Sequence, residues 1–231
     1  MKKLVAGEES VTVFQINFTL KEEIIMNKKR FLALAAAAMM AASLVGSTVS
    51  VSAADTPEDV QKIIDAGVLK VGCKADVPKF SLQNTKTGEY EGFEDDLAYE
   101  IAGDIFGCTA DEAKEKDLVE FQSVTAKTRG PLLENGEIDL VIATFTITDE
   151  RKETYNFSTP YFTDAVGLLV NNDSGINSIE DLDGKIIGVA QSSTTKDSFN
   201  EYVKENNIDV KPEFQEFDGY PALAQALATN Q

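Results

Sequence analysis

The alternation of apolar runs and amphipathic segments along the chain is the feature that most limits its fold. Three runs, VLKVGC (68–73), LVEFQSV (118–124) and IDLVIATF (138–145), have the length and composition of buried strands. Between them, FEDDLAYEIAGDIFG (93–107) has an apolar residue at every fourth position, and TRGPLLENGE (128–137) has Pro near its start and Gly near its end. Strands that alternate with helices predict a parallel sheet with helices on its faces, which is an α/β fold.

A second series of the same kind follows, so we predict two lobes, 55–165 and 166–231, each a mainly parallel sheet flanked by helices. The remaining predicted segments are a helix at 57–67, a loop or hairpin at 74–92, strands at 166–172, 186–191 and 209–217, and helices at 193–206 and 220–230. Because the series stops on a helix, we expect the second lobe, and the return of the chain to the first lobe, to be incomplete.

Residues 26–54 have the pattern of a secretory signal peptide. Basic residues at 28–30 precede an Ala/Leu/Met-rich core at 31–45, and small residues suit cleavage near Ala53 or Ala54. The alternative is a transmembrane anchor, for which the core is short and lacks a charged stop-transfer cluster. We expect export to the periplasm or cell exterior, and without a Cys at the cleavage site we expect no lipid anchor.

Residues 1–25 precede that signal and are therefore anomalous. Met26 is the natural start, and the segment 21–23, KEE, is what a ribosome-binding site would encode if it were translated. We interpret residues 1–25 as a gene-model extension; the alternative is a short cytoplasmic tail. The nucleotide sequence decides between them.

Composition excludes several classes of function. The chain has no His, which rules out Ser-His-Asp and Cys-His catalytic units and His-ligated zinc, and we predict no cofactor or metal. Residues 1–53 carry six of the 21 basic and four of the 39 acidic residues, so the remainder has a formal charge of −20. Such a charge repels nucleic acid and anionic membranes. A disulfide between Cys73 and Cys108 is conceivable after export, although a helix separates them in sequence.

Cationic and hydroxyl side chains follow the predicted strands, where ligands of α/β sheets bind. They are Lys74; Thr125 to Arg129; Thr144, Thr146, Thr148 and Arg151; and Gln191 to Thr195. Hardly an acid is among them, and Arg129 and Arg151 are the only arginines after the signal segment. A guanidinium binds a carboxylate with two hydrogen bonds, so this pattern predicts a site for two carboxylates or one phosphate.

Each of these residues also has a simpler interpretation. Arg151 could be a surface residue paired with Glu150 or Glu153, and Arg129 could be a solvated loop residue. Lys74 could lie on the surface, as most lysines do, and the SSTT run at 192–195 could only cap a helix. Their shared position at strand ends is what favours a binding site.

Four segments resemble the extracellular amino-acid-binding proteins of ABC importers, solute-binding protein family 3. They are LKVGCKADVPKF, GEYEGFEDDLAYEIA, DLVIATFTITDERKETYNFSTPYF and DLDGKIIGVAQSSTT, and the resemblance runs from about residue 60 to the end. TAKTRGPLL, VGCK and VIATFTIT are most similar to the aspartate/glutamate-binding branch. The resemblance implies a two-lobed periplasmic-binding-protein fold that closes on its ligand, and importer permease subunits as partners of a monomer.

The resemblance also implies a role for each site residue. Arg151 and Thr146 would hold the ligand α-carboxylate, with backbone N–H groups near Thr194 and Thr195. Three residues, Lys74, Arg129 and Thr144, would contact the side-chain carboxylate of an acidic amino acid. Cys73 departs from the family pattern, and we interpret it as a small buried apolar residue rather than a ligand contact.

Family members use an Asp on a further second-lobe strand to bind the ligand amino group, and the chain ends before that strand. We therefore expect a C-terminally truncated chain that binds weakly or folds poorly. Two other functions stay open. One is a binding protein for glutamine or another polar amino acid, and the other is a dehydratase-like enzyme on the same fold. We predict no enzyme activity, because no carboxylate is placed as an acid or base and His is absent. A second role as an adhesin or sensor also stays open.

Overall fold

The computed structural model describes residues 2–5 and 56–231. The predicted signal peptide with its cleavage site, and most of the 1–25 segment, lie outside the described residues. Within them the strands are β1 Lys2–Val5, β2 Leu69–Cys73, β3 Asp76–Val77, β4 Ser81–Gln83, β5 Tyr90–Glu91, β6 Val119–Ser123, β7 Leu140–Ile142, β8 Gly167–Val170, β9 Ile186–Ala190 and β10 Glu213–Phe217. The helices are α1 Glu58–Ala66, α2 Phe93–Phe106, α3 Ala110–Glu115, α4 Arg129–Glu134, α5 Asp149–Lys152, α6 Thr195–Glu205 and α7 Tyr220–Ala228, with a 3-10 turn at Glu180–Leu182.

The first lobe is built on a parallel sheet with strand order β6-β2-β7. The central strand β2 is mostly buried, with Leu69 and Val71 in the core, and only Lys70 is exposed along it. Helix α2 presents Ala98 and Ala102, both fully buried, to this sheet. Small side chains let the helix approach the strands closely. The sheet therefore holds the loops that follow β2, β6 and β7 along one edge.

The second lobe contains the parallel pair β9–β10, packed with helices α6 and α7. Its separate core includes Ile187 and Val189 from β9 and Phe199 from α6. The predicted two-lobed α/β fold with parallel sheets is confirmed. Strand β8 pairs with β1 in antiparallel register and contributes Val170 to the buried residues.

Helix ends follow the sequence signals. Gly67 and Gly107 end α1 and α2 in the left-handed conformation, with φ of 73° and 70°. Helix α3 was not predicted, although a capping box marks its start: Glu112 N–H donates to the Thr109 hydroxyl and Thr109 N–H donates to the Glu112 carboxylate. Where a loop or hairpin was predicted, the small antiparallel sheet β3-β4-β5 is found.

Both cysteines are free thiols, so the conceivable disulfide does not form. Cys73 is 1% exposed at the end of β2, and burial raises the pKa of its thiol to about 12. It is the small buried residue that the sequence predicted. Among the described helices, none is long and apolar enough to cross a membrane.

Candidate ligand-binding site

Arg129 is a buried cation at the start of α4, not a solvated loop residue, since only 4% of it is exposed. Its Nη1 donates to the carbonyls of Ala143 at 2.6 Å and Thr144 at 3.2 Å, just beyond β7. Its Nε is buried, and within the described part of the chain neither Nε nor Nη2 has a hydrogen-bond partner. The guanidinium is therefore anchored by one nitrogen, and its Nε–Nη2 edge has donors to spare.

Arg151 joins main-chain groups of the two lobes. It lies in the one-turn helix α5, which the Thr148 hydroxyl caps by accepting from Arg151 N–H. Its Nη1 donates to the Thr146 carbonyl at 2.8 Å, and its Nη2 donates to the Ser192 carbonyl, beyond β9, at 3.1 Å. No ion pair with Glu150 or Glu153 is found among the described residues, so the surface-pair interpretation is wrong.

Phe145 brings the two arginines together. The guanidinium carbon of Arg129 lies 4.1 Å from the centre of its ring, and that of Arg151 lies 4.7 Å from it. Burial, with the nearby charge of Arg151 as the second cause, lowers the pKa of Arg129 to about 10. Both groups stay cationic at neutral pH. The two like charges over one ring, buried for Arg129 and partly exposed for Arg151, repel each other, so an anion bound between them would be stabilised by both.

Lys74 is also buried, with 3% exposed, but it already has a partner. Its Nζ lies 3.1 Å from Asp76 Oδ1 and 5.3 Å from the centre of the Tyr220 ring. Because Tyr220 begins α7, this contact again joins the two lobes. The prediction of hardly an acid at the strand ends was incomplete, because Asp76 neutralises part of the cationic charge there.

The predicted threonines occupy different positions. Thr144 has a positive φ of 48°, and its N–H donates to Glu94 Oε1 at 2.7 Å. Thr146 is exposed, and its carbonyl accepts a hydrogen bond from Arg151 Nη1. Thr194 and Thr195 begin α6, where free N–H groups favour an anion. Since the Thr194 side chain makes no capping hydrogen bond, simple capping does not account for it.

Main-chain carbonyls of loop 143–146 accept hydrogen bonds from both Arg129 and Arg151, and the Ser192 carbonyl accepts a further one from Arg151. Lys74 contacts the second lobe through the ring of Tyr220. Four residues that organise this arrangement were not predicted from the sequence: Asp76, Glu94, Phe145 and Tyr220. Phe145 could have been found, because it directly follows the strand-end hydroxyl Thr144. Asp76 could also have been found, because it lies two residues beyond Lys74, whereas Glu94 and Tyr220 come from segments distant in sequence.

Comparison with known proteins identifies the family. Residues 69–217 match the family described as bacterial extracellular solute-binding proteins, family 3. The chain belongs to this family. A glutamine-binding protein of Geobacillus stearothermophilus is 41% identical over 173 residues, which cover 74% of this chain and 61% of that protein. The glutamate-binding protein GluB of Corynebacterium efficiens is 31% identical over 207 residues, covering 88% of this chain and 67% of that protein.

Solved structures of binding proteins share the fold. The cysteine-binding protein of Campylobacter jejuni superposes with a TM-score of 0.61 at 29% identity, covering 74% of this chain and 63% of that one. The ancestral amino acid-binding protein AncCDT-1, a precursor of cyclohexadienyl dehydratase, gives a TM-score of 0.61 at 30% identity, with coverage of 74% and 70%. The chain spans about three-fifths of the length of the first two curated relatives it matches, which are glutamine-binding proteins.

Proposed function

We propose that this protein is an exported solute-binding protein that captures an acidic amino acid, aspartate or glutamate, for an ABC importer. The observation that carries the proposal is the pair of arginines over Phe145, with the Nε–Nη2 edge of Arg129 unused among the described residues. In a chain with a formal charge of −18, such a cluster of cations favours an anionic ligand over a cationic one.

The two arginines would bind different carboxylates. Arg151, beside Thr146 and the start of α6, would hold the α-carboxylate that all amino acids share, with the N–H groups of Thr194 and Thr195 as further donors. The Nε–Nη2 edge of Arg129 would hold the side-chain carboxylate by two hydrogen bonds, with Lys74 and Thr144 beside it. Bidentate binding of this kind is a geometric preference of the guanidinium group.

The ligand would be enclosed between the lobes 55–165 and 166–231. Arg151 with Ser192, and Lys74 with Tyr220, join groups of the two lobes, and a ligand touching both lobes would add to these contacts. A monomer closed in this way would deliver its ligand to importer permease subunits. The signal at 26–54, cleaved near Ala53 or Ala54, would place it outside the cytoplasm without a lipid anchor.

Glutamine is the second candidate, and two observations favour it. The Lys74–Asp76 ion pair removes part of the positive charge, and Asp76 could accept from a side-chain amide. The glutamine-binding proteins of Geobacillus stearothermophilus and Bacillus subtilis are 41% and 37% identical to this chain. A glutamine amide would place its oxygen at Arg129 and its NH₂ group toward Asp76.

Calorimetric titration of the protein, expressed from its native gene, with aspartate, glutamate, glutamine and arginine tests the proposal. We expect the two acidic amino acids to bind more tightly than glutamine, and arginine to bind weakest. Chromatography after incubation should recover each ligand unchanged, whereas an enzyme would convert one of them. Tightest binding of glutamine would select the second candidate, and tightest binding of arginine would contradict both.

A further inference from the structure

Glu94 is a buried carboxylate close to the arginine cluster that the proposed ligand contacts do not include. It lies in the first turn of α2 and is 1% exposed. Its Oε1 accepts two hydrogen bonds, from the Thr144 N–H at 2.7 Å and from the Tyr161 hydroxyl at 2.6 Å. Its Oε2 is buried and has no partner within the described ranges.

The hydrogen bond from Thr144 N–H to Glu94 holds Thr144 in an unfavourable backbone conformation. Thr144 is β-branched, and its φ of 48° lies in the left-handed region, which is strained for a residue of this type. A hydrogen bond to a charged acceptor is stronger than one to a neutral acceptor, so the Glu94 carboxylate helps to stabilise this conformation. Glu94 therefore holds the peptide between Ala143 and Thr144 in place.

The carbonyls on either side of Thr144 N–H are the acceptors that anchor Arg129. The carbonyl oxygens of Ala143 and Thr144 both accept hydrogen bonds from Arg129 Nη1. A contact path thus runs from Glu94 through the Thr144 main chain to the guanidinium. The same Glu94 oxygen accepts from Tyr161, so it also holds the segment that leads from α5 toward β8.

Burial makes Glu94 a poor source of stability. Burial raises the pKa of its carboxyl group, although Tyr161, the Thr144 N–H, Arg129 and Lys74 partly counter this effect. A buried carboxylate with one unpaired oxygen costs free energy that an apolar residue would not. The contacts that Glu94 makes instead fix geometry, because they hold the Thr144 N–H and the Tyr161 hydroxyl.

We propose that Glu94 is a positioning residue for the ligand site: it fixes the main chain at Thr144 so that Arg129 presents its Nε–Nη2 edge, and it does not touch the ligand itself. This inference rests on the proposed function, in which Arg129 contacts the ligand.

A double-mutant cycle on ligand affinity tests this role. Glu94→Gln keeps the side-chain shape, but it turns a charged acceptor into a neutral one. We expect glutamate to bind roughly five- to tenfold more weakly to this variant, the difference between a charged and a neutral hydrogen bond. With Arg129→Met already present, Glu94→Gln should change the affinity by less than about twofold, because the group through which it acts is gone.

Asp95→Asn is the matched control. Asp95 is the next residue of the same helical turn, is also 1% exposed, and accepts from the Ser81 hydroxyl at 2.7 Å rather than from Thr144. We expect its replacement to alter stability in urea while changing glutamate affinity by less than about twofold in either background. Urea unfolding of every variant shows that folded proteins are compared. If Glu94→Gln does not fold, Glu94→Asp, which draws the oxygen away from Thr144, should give the same pattern.

NMR of the arginine side chains in the ligand-free protein gives a second measurement. The sequence has three arginines, so the Nε–H signal of Arg129 can be assigned by its loss in Arg129→Met. Glu94→Gln should shift this signal or speed its exchange with solvent, and Asp95→Asn should leave it unchanged.

The outcomes separate the two proposals. A wild-type protein that binds none of the amino acids overturns the proposed function and, with it, the role assigned to Glu94. If the wild type binds glutamate, but Glu94→Gln weakens binding by the same factor in both backgrounds, only the positioning role is overturned. An unchanged Arg129 signal in Glu94→Gln also overturns it.

Discussion

Replacing Arg129 with Met would separate the proposed contact to the ligand side chain from the proposed contacts that all amino acids share. Met retains much of the length and apolar surface of Arg, so it can still pack on the ring of Phe145, whose centre lies 4.1 Å from the Arg129 guanidinium carbon. The substitution removes the charge and the unused Nε–Nη2 edge. It also leaves the carbonyls of Ala143 and Thr144 without their donor, so stability must be measured in parallel.

The expected loss follows from the hydrogen bonds that this edge can make. Each charge-assisted hydrogen bond contributes about 1.5–3 kcal/mol, and a glutamate carboxylate would make two with Arg129. At the lower limit the loss is about 3 kcal/mol, or roughly 150-fold in affinity. Glutamine would make one such bond through its amide oxygen and lose about 1.5 kcal/mol, or roughly tenfold. The preference for glutamate over glutamine should therefore fall roughly tenfold.

Calorimetric titration of wild type and Arg129→Met with both ligands measures this ratio. Arg151→Met is the control, since it removes the proposed α-carboxylate contact and should weaken glutamate and glutamine by the same large factor. Equal losses for the two ligands in Arg129→Met would refute the two-carboxylate arrangement. Equal stability of the two variants in urea would exclude unfolding as the cause of a difference.

Three further predictions concern the scaffold of the site. Burial raises the pKa of Asp95 to about 6, above the usual value of an unfolded Asp. The folded state therefore binds a proton that the unfolded state releases, and the free energy of unfolding falls as pH rises from about 4 to 6. Asp95→Asn should remove roughly 2–3 kcal/mol of this pH-dependent change in the free energy of unfolding, measured by urea titration at several pH values. Gly72→Ala would place a methyl group 2.5 Å from Cδ1 of the buried Ile138. The substitution should lower the free energy of unfolding by about 1–3 kcal/mol, and an unchanged urea midpoint would contradict this close contact. Thr109→Ala breaks the capping box with Glu112 and should cost about 1 kcal/mol, whereas Thr87→Ala on an exposed turn should cost less.

Much of the fold could be predicted because its signals are local. Apolar runs and Gly stops depend on neighbouring residues, and they gave the strands of the first sheet and the ends of α1 and α2. Helix α3 was missed although its signal, Thr109 with Glu112, is also local. The short sheet β3-β4-β5 could not be separated from a loop, since two or three residues per strand carry too little periodicity.

The amino-acid sequence specified the α/β class and the set of cations at the strand ends. It did so because the carboxyl ends of parallel strands meet at one edge of a sheet, whatever the loops contain. How those cations are held depends on the packing of distant segments. Glu94 meets Thr144 and Tyr161 across 50 and 67 residues of chain, and Lys74 meets Tyr220 from the other lobe. Such contacts depend on how the elements pack, and no local pattern specifies them. Packing is therefore what leaves Nε of Arg129 buried without a hydrogen-bond partner among the described residues.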